Sequence, residues 1–220
     1  MNYTELSNAI QAYTENTETN FVAEIPVFVT QAEQRIYNSV QFPSIRKNVT
    51  GAMTINNKYL QCPTDFLATY SLAVINASGE YEYLLNKDVN YIRQAYPQPT
   101  DTGIPKYYAL FGPRSDNAAE LTFILGPTTD SGYSSELHYY FYPPSITVSP
   151  YTSWLGDNFD TVLLYGSLVE AYTYMKGEQD IMTFYNAKYQ EALGLAKRLG
   201  DGLERGDAYR DGQTKIRVTT

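Results

Sequence analysis

The chain has 220 residues, of which 43% are hydrophobic and 18% charged, so it is long enough to bury a core without disulfide or metal support. Its net charge of −8 argues against a nucleic-acid-binding surface, which needs clustered Lys and Arg. Cys62 is the only cysteine, which excludes a disulfide framework and a thiol metal cluster. The 22 tyrosines are typical of β-rich structure and also of partly solvent-exposed contacts between subunits.

Two helices are predicted at the N-terminal end. Thr4 precedes apolar residues at helical spacing and is the expected N-cap of the first helix, which the polar stretch 15–20 ends. The second helix is expected over 24–40, with Pro26 in its first turn, where a missing N–H costs nothing. One face of this second helix is apolar along its length. Its residues are Ile25, Phe28, Val29, Ala32, Ile36 and Val40.

The spacing of apolar residues changes from helical to strand-like between residues 44 and 150. Short β-branched and aromatic runs alternate with turn residues, a pattern that predicts several antiparallel strands. The stretch 87–96 interrupts them with one short helix that Pro97 stops. The connection 97–105 is expected to be irregular because its three prolines cannot donate ladder hydrogen bonds.

Helical spacing returns after Ser149. Asp157 is the expected N-cap of a helix that runs to about Lys176, where Gly177 provides a left-handed stop. A second long helix follows from Glu178 or Gln179 to about Leu199, and the short link makes the two helices antiparallel. Its expected core side carries Ile181, Tyr185, Tyr189, Ala192, Ala196 and Leu199.

These elements predict an α+β fold with an interrupted helical bundle. Residues 1–43 and 151–200 form the bundle, from two N-terminal and two long C-terminal helices, and residues 44–150 form an inserted antiparallel β domain. Residues 201–220, rich in glycine, are expected to be an extended C-terminal arm. No stretch is apolar enough to span a membrane, and no signal peptide is expected.

The stretch 163–178, LLYGSLVEAYTYMKGE, which includes most of the first of the two long C-terminal helices, is apolar on more than one face. One face can pack on the second C-terminal helix, and the rest needs either the β domain or an adjacent subunit. The candidates for a subunit interface are Leu164, Leu168, Tyr172 and Met175.

The motifs of catalysis and cofactor binding are missing. His138, the sole histidine, shares a predicted strand face with Glu136, but no nucleophile motif accompanies them. The two candidate glycosidase pairs are Asp157 with Asp160 and Asp101 with Asp130; helix capping and turns explain these carboxylates more simply. Phosphate-binding loops and helical metal-ligand spacings are absent from the sequence. No enzyme activity, catalytic residue, metal or cofactor is therefore expected.

The chain resembles the head-to-tail adaptor (connector) proteins of tailed bacteriophages, particularly those of short-tailed phages. The resemblance covers most of the chain, and its strongest segment is 152–193, TSWLGDNFDTVLLYGSLVEAYTYMKGEQDIMTFYNAKYQEAL. The other segments are IPVFVTQAEQRIYNSVQFPSIRK (25–47), LQCPTDFLATYSLAV (60–74), LLNKDVNYIRQAYP (84–97) and GIPKYYAL (103–110).

The resemblance implies a virion protein at the head–tail interface, made in the host cytoplasm. It implies a ring, usually of twelve copies, seated below the portal, extending the DNA channel and docking the tail or nozzle proteins, with DNA passing through without sequence-specific binding. Family adaptors hold the portal largely through their C-terminal segment. By their position in the chain, the portal-binding candidates are therefore Leu203, Arg205, Tyr209, Arg210, Ile216 and Val218.

A carbohydrate-binding or glycan-cleaving virion component is the competing hypothesis. It is motivated by the tyrosines of the β domain, which can stack on sugars, and by the scattered carboxylates. Loss of glycan binding on substitution of Tyr139 or Tyr140 would favour it.

Overall fold

A computed structural model describes residues 1–113 and 121–204, with side chains up to Leu199. The chain divides into two compact units, one of Met1–Ile45 with the segment from Pro143 onward, the other of Arg46–Tyr142. In chain order the helices are α1 (Tyr3–Thr14), α2 (Thr19–Ser39), α3 (Val89–Ala95), α4 (Trp154–Asn158), α5 (Asp160–Met175) and α6 (Gln179–Glu204). The strands are β1 (Arg46–Ala52), β2 (Tyr59–Gln61), β3 (Ala68–Ile75), β4 (Tyr81–Tyr83), β5 (Leu85–Asn86), β6 (Thr102–Gly103), β7 (Tyr107–Phe111), β8 (Thr122–Gly126), β9 (Thr128–Thr129) and β10 (Ser134–Tyr140).

Both N-terminal helices begin earlier than predicted. Asn2, not Thr4, caps α1, because the Asn2 side chain accepts from the Glu5 N–H and the Glu5 carboxylate accepts from the Asn2 N–H, each at 2.9 Å. Helix α2 begins at Thr19, so Pro26 lies inside the helix rather than in its first turn. The additional turns bury Phe21, which offsets the cost of an interior proline.

The capping expected around α5 is also wrong at both ends. Ser153 begins the short helix α4 by accepting from the Gly156 N–H at 3.1 Å, and Asp157 lies inside that helix. At the other end the left-handed residue is Lys176 (φ 55°), not Gly177. Gly177 serves a different purpose, since a Cβ there would lie 2.6 Å from the Tyr172 ring.

Helix α5 is the central helix of the helical unit. It packs against α1, α2, α4 and α6, and all four of these helices belong to the same unit. Its fully or nearly fully buried residues are Val162, Leu163, Gly166, Ser167, Leu168 and Ala171. A helix surrounded in this way must be apolar on several faces, which explains the composition of 163–176 without a neighbouring copy.

The second unit is built from two four-stranded sheets, ordered β1-β10-β3-β4 and β2-β8-β7-β5, and a two-stranded pair of β6 and β9. Its core takes side chains from strands of both large sheets, including Leu72, Leu137, Phe123 and Leu125. Helix α3, predicted over 87–96, covers Ala109 and Ile124 through Ile92. The α+β class is confirmed, although β5–β7 and β6–β9 pair parallel, contrary to the antiparallel expectation.

The end of α6 differs from the prediction as well. The helix continues to Glu204, five residues past the expected end at Leu199, so it includes the first residues of the predicted arm. The remainder of that arm, 205–220, lies outside the described residues. None of the described helices combines the length and the apolar character needed to cross a bilayer.

Candidate functional site

The predicted Glu136–His138 pair exists on β10. The His138 ring Nε2 lies 3.2 Å from Glu136 Oε1, and the Asn48 side chain donates to the same oxygen at 2.7 Å. These three side chains occupy neighbouring positions of β1 and β10 on the sheet face opposite the core. The pair is partly exposed to solvent, and the hydrogen bonds found at Glu136 and His138 involve no Ser or Cys hydroxyl or thiol. The arrangement orders a polar surface.

The candidate carboxylate pairs are used locally. Asp101 accepts from the Gln98 N–H at 3.1 Å, and Asp130 accepts from the Tyr133 hydroxyl at 2.6 Å. Asp160 accepts from the Thr161 hydroxyl at 3.3 Å in the first turn of α5. Each is explained by its turn or helix end. Within residues 1–113 and 121–204, no three His, Cys, Asp or Glu side chains come together as a metal site.

Cys62 is unsuited to nucleophilic chemistry. Its side chain is 4% exposed in the core of the second unit, and burial raises the pKa of the thiol to about 12. A thiol with this pKa stays protonated at neutral pH, whereas the thiolate is the reactive form.

An open groove of about 700 Å³ lies in the β unit. Glu82, Asp101 and Lys106 line it together with Tyr96 and Pro127. The lining mixes both signs of charge around a wide opening, which does not define a particular ligand.

An aromatic and cationic cluster lies on the same sheet face as Glu136. The Arg46 guanidinium lies 5.1 Å from the centre of the Tyr70 ring and 5.8 Å from that of Tyr140. The two rings meet edge to face at 6.0 Å, and Tyr70 is 56% exposed. Tyr and Arg in such contacts are typical of protein–protein binding surfaces. The cluster of Arg46, Tyr70 and Tyr140 is here called the sheet cluster.

The four interface candidates on α5 have different environments. Leu168 is 0% exposed, so it belongs to the core of the helical unit and offers no surface to another copy. Leu164, Tyr172 and Met175 are half-buried. The Tyr172 hydroxyl donates to the Tyr13 carbonyl at 3.2 Å, and the Asn16 amide lies 3.5 Å from the Met175 sulfur, so α1 covers part of this surface.

The larger apolar surface of the helical unit is on α6. Its core side holds Tyr185, Tyr189, Ala192, Leu193 and Ala196. A second row, here called the α6 stripe, stays exposed: Ile181 (37%), Phe184 (54%), Leu195 (61%) and Leu199 (51%). Ile181 and Leu199 were predicted on the core side and are exposed instead, and the prediction did not include Phe184 or Leu195. The signal for them was a second set of apolar positions, spaced by three, eleven and four residues and so by about whole helical turns, displaced from the core row.

The portal candidates fall mostly beyond the described chain. Leu203 lies in the last turn of α6. The other five lie outside the described residues: Arg205, Tyr209, Arg210, Ile216 and Val218.

One family model matches this chain, that of the SU10 adaptor protein, over residues 1–215. Among curated proteins, none matches the chain. The family match covers both compact units, and it agrees with the resemblance to phage head-to-tail adaptors found in the sequence. The chain therefore belongs to the SU10 adaptor protein family, as a phage adaptor and virion component.

Proposed function

We propose that the chain forms a closed ring, of twelve copies, that binds below the portal, extends the DNA channel and docks the tail or nozzle proteins. The observation that carries this proposal is the α6 stripe, which no other described part of the chain covers to the extent found for the core side of α6. Family membership supplies the adaptor role, and the stripe supplies a physical reason for the copies to associate.

The stripe is large enough to matter energetically. Its ends, Ile181 and Leu199, are 18 residues apart, which corresponds to about 27 Å along an α-helix. Burying a side chain such as Phe184 or Leu195 in a contact contributes about 1.5–3 kcal/mol each. The stripe consists of two apolar pairs, Ile181 with Phe184 and Leu195 with Leu199, which offer apolar surface to a partner copy.

Attachment to the portal is assigned to the C-terminal segment that begins at Leu203. Helix α6 carries this segment directly after the stripe, so a ring built on α6 presents twelve copies of it together. Its residues are Leu203, Arg205, Tyr209, Arg210, Ile216 and Val218 among others, which combine apolar, aromatic and guanidinium groups suited to a protein contact.

The remaining two roles follow from charge and from the sheet cluster. A net charge of −8 per copy gives an acidic ring, which repels phosphates and lets DNA slide without sequence-specific binding. Docking of the tail or nozzle protein is assigned to Arg46, Tyr70 and Tyr140, because their rings and guanidinium are partly exposed and already ordered.

Reconstitution with purified portal protein tests the proposal. The full chain is expected to add a twelvefold ring to the portal, measured by native mass spectrometry and electron microscopy. A variant lacking residues 203–220 should keep the helix content and thermal transition of the full chain but fail to bind. A full chain that neither binds portal nor forms rings would refute the proposal, and binding by the truncated chain would refute the assignment of the segment.

A carbohydrate-binding component remains the second candidate. The observation that favours it is the exposure of Tyr70 and Tyr83, 56% and 69%, on the sheet that also carries Glu136. A glycan array and a cell-wall lysis assay test it, with Tyr70→Ala and Tyr140→Ala as variants. Tyr139 is unsuitable because it is 1% exposed and belongs to the core.

A further inference from the structure

The four-stranded sheet β1-β10-β3-β4 has two open edges. Strands β1 and β4 each pair with one neighbour, and among the described residues no strand lies beside the outer side of either. An open edge presents backbone N–H and C=O groups that a further strand can bind. In β1, residues 48–52 are all exposed and include neither a proline nor a charged residue, so two features that usually protect such an edge are missing there.

Hydrogen bonds at the strand ends show which backbone groups face the open edges. The Met53 N–H donates to the carbonyl of Tyr133, which directly precedes β10, and the Leu84 N–H donates to the Leu72 carbonyl of β3. Along an antiparallel strand the direction of these groups alternates from one residue to the next, so alternate residues point outward. The outward groups belong to Tyr81 and Tyr83 on β4 and to Asn48, Thr50 and Ala52 on β1.

The outward groups of both edges lie in the same rows of the sheet. One row of partners runs through Thr50, Glu136, Ala73 and Tyr83, and the next runs through Ala52, Ser134, Ile75 and Tyr81. Each row directs its side chains to one face of the sheet, away from the core. Because the number of strands is even, β1 and β4 also run in opposite directions. Strand β4 of one copy can therefore pair with β1 of another without interrupting the antiparallel pattern.

The two edges differ in charge. Strand β1 begins with Arg46 and Lys47 and contains no carboxylate, whereas residues 76–84 contain Glu80 and Glu82 and no cation. Asp65 already pairs with Lys47 at 2.7 Å, and Glu80 accepts from the Asn76 amide at 3.0 Å. Glu82 lines the open groove, and in the part of the chain that the structure describes it has no hydrogen-bond or ion-pair partner. The β4 edge is thus acidic and the β1 edge basic.

We propose that β4 of one copy pairs antiparallel with β1 of the next copy, so that the sheets of adjacent subunits continue one another around the ring. This inference rests on the proposed ring and adds a backbone contact in the β unit to the contact made by the α6 stripe. A contact between two different edges is heterologous, as a closed ring requires, whereas β1 against β1 would be isologous and join only two copies.

Charge selects the register of this pairing. Glu82 can lie opposite Lys47, Val49 or Gly51 while the outward groups of both strands still meet. Opposite charges directly across two strands stabilise the pair, so Glu82 is placed opposite Lys47. In that register Tyr83 lies opposite Arg46, and Tyr81 lies opposite Asn48.

Paired cysteines test the register in rings assembled on the portal. Within one chain, Asn48 and Tyr81 lie on opposite edges of the sheet, three strand spacings or at least about 14 Å apart, which is too far for a disulfide. The double variant Asn48→Cys/Tyr81→Cys, under mild oxidation, is expected to give a ladder of disulfide-linked oligomers on a non-reducing gel. Each single variant should stay monomeric, because the native Cys62 is buried.

The matched control is Val49→Cys/Tyr81→Cys. Val49 is the next residue of β1 and is exposed as well, but it pairs with the core residue Leu137, so its side chain lies on the other face of the sheet. This variant should give no ladder. An equally strong ladder from the control would mean that the two edges meet without strand pairing, which overturns the inference.

The remaining outcomes separate this inference from the proposed function. Dimers from Asn48→Cys alone would mean that two β1 edges face each other, which overturns the inference. Rings that assemble normally but give no ladder in Asn48→Cys/Tyr81→Cys overturn it too, while the proposed ring stands. A chain that forms no ring under any condition overturns both.

Proline at position 81 supplies an independent readout. The Tyr81 N–H points away from β3, so Tyr81→Pro removes a donor that the isolated subunit does not use, and an edge strand tolerates proline at such a position. Tyr81→Ala is the control, since it loses the same aromatic ring but keeps the N–H. Ring assembly on the portal should be at least about fivefold weaker for Tyr81→Pro than for Tyr81→Ala, with similar thermal unfolding of the unassembled chains. Equal assembly of the two variants would overturn the inference.

Discussion

Glu33 on α2 accepts a hydrogen bond of 3.0 Å from the backbone N–H of Ile146, 113 positions later in the chain. Both residues are buried, with 3% and 0% exposure. The bond links the segment that follows Pro143 to α2, and so it connects two parts of the helical unit that are far apart in sequence. A carboxylate in this position satisfies a backbone donor that water does not reach.

Removing the Glu33 acceptor should destabilise the fold. Glu33→Ala leaves the Ile146 N–H buried without its acceptor, and we expect the free energy of unfolding to fall by about 1–3 kcal/mol. Glu33→Gln is the control, because its amide oxygen can accept the same bond. Urea denaturation followed by circular dichroism measures both, and equal stability of Glu33→Ala and the natural chain would contradict the expectation.

The same residue should give stability a pH dependence. Burial raises the pKa of Glu33, although the hydrogen bonds from Ile146 and Ser145 act in the opposite direction. The folded chain then holds the Glu33 proton to higher pH than the unfolded chain does, so this contribution to stability is greatest below the unfolded pKa and declines as pH rises through the folded pKa. Glu33→Gln should lose this part of the decline, measured by urea titrations from pH 4 upward in steps of about one unit. Identical pH profiles for the two proteins would contradict the assignment.

Two helical glycines should respond oppositely to substitution. A Cβ at Gly166 would lie 3.2 Å from the Tyr189 ring and 3.3 Å from the Ala32 Cβ, so Gly166→Ile should cost about 1–3 kcal/mol by overpacking. Gly194, within α6, has no atom within 4 Å of such a Cβ, and Gly194→Ala should stabilise the helix by about 0.5–1 kcal/mol. Thermal and urea unfolding of both variants provide the comparison. A stable Gly166→Ile variant would mean that α2, α5 and α6 pack less closely than described.

Leu168 and Leu195 should separate folding from assembly. Leu168→Ala removes a side chain with 0% exposure and should lower the free energy of unfolding by about 2–5 kcal/mol. Leu195→Ala changes a side chain with 61% exposure and should alter it by less than about 0.5 kcal/mol, while weakening the ring. Unfolding curves of the unassembled chain measure the first effect, and sedimentation of portal-bound rings measures the second. The reverse pattern would return Leu168 to the interface and remove Leu195 from it.

The hydrogen bond between Tyr139 and Asp65 should make the free energy of unfolding depend on pH in the acid range. Burial by itself raises the pKa of Asp65, but hydrogen bonds from Lys47 and Tyr139, each of 2.7 Å, together outweigh it and hold the pKa below its ordinary value. A lowered pKa contributes stability above the unfolded pKa, and this contribution is lost as pH falls through the folded pKa. Tyr139→Phe removes one donor, so the pKa of Asp65 should rise and the stability at neutral pH should fall by about 0.5–1.5 kcal/mol.

Nuclear magnetic resonance titration of the Asp65 carboxyl in Tyr139→Phe checks the pKa, and urea denaturation at several pH values checks the stability. The difference in stability between the natural chain and the variant should shrink at acid pH. A difference that stays constant with pH would mean that Tyr139 acts through packing alone.

Errors in the sequence-based prediction cluster at helix ends. Asp157 and Thr4 are chemically acceptable caps, yet Asn2 caps α1, and α5 begins after Phe159 without a side-chain capping hydrogen bond. Ser153 caps the short helix α4, which contains Asp157. Pro26 gave a similar error, since burial of Phe21 extends α2 beyond the point at which local preference would begin it. Local sequence indicates which residues can end a helix, and packing in the core determines which of them does.

The surface for assembly was also displaced from its predicted place. The apolar composition of 163–176 indicates a helix that needs partners on several faces, but composition does not say whose helices those are. The structure supplies α1, α2, α4 and α6 of the same unit as those partners and leaves the uncovered row on α6.

The order of residues along this chain determined its α+β class, most of its helices and its kinship with phage adaptors, because periodicity, turn residues and family-wide sequence segments are local signals. Which apolar side chains stay in water was decided only by tertiary structure. Exposure depends on what lies across from a side chain in space. Helices distant in sequence surround Leu168, whereas Leu195 stays 61% exposed, and sequence spacing alone does not distinguish these two cases.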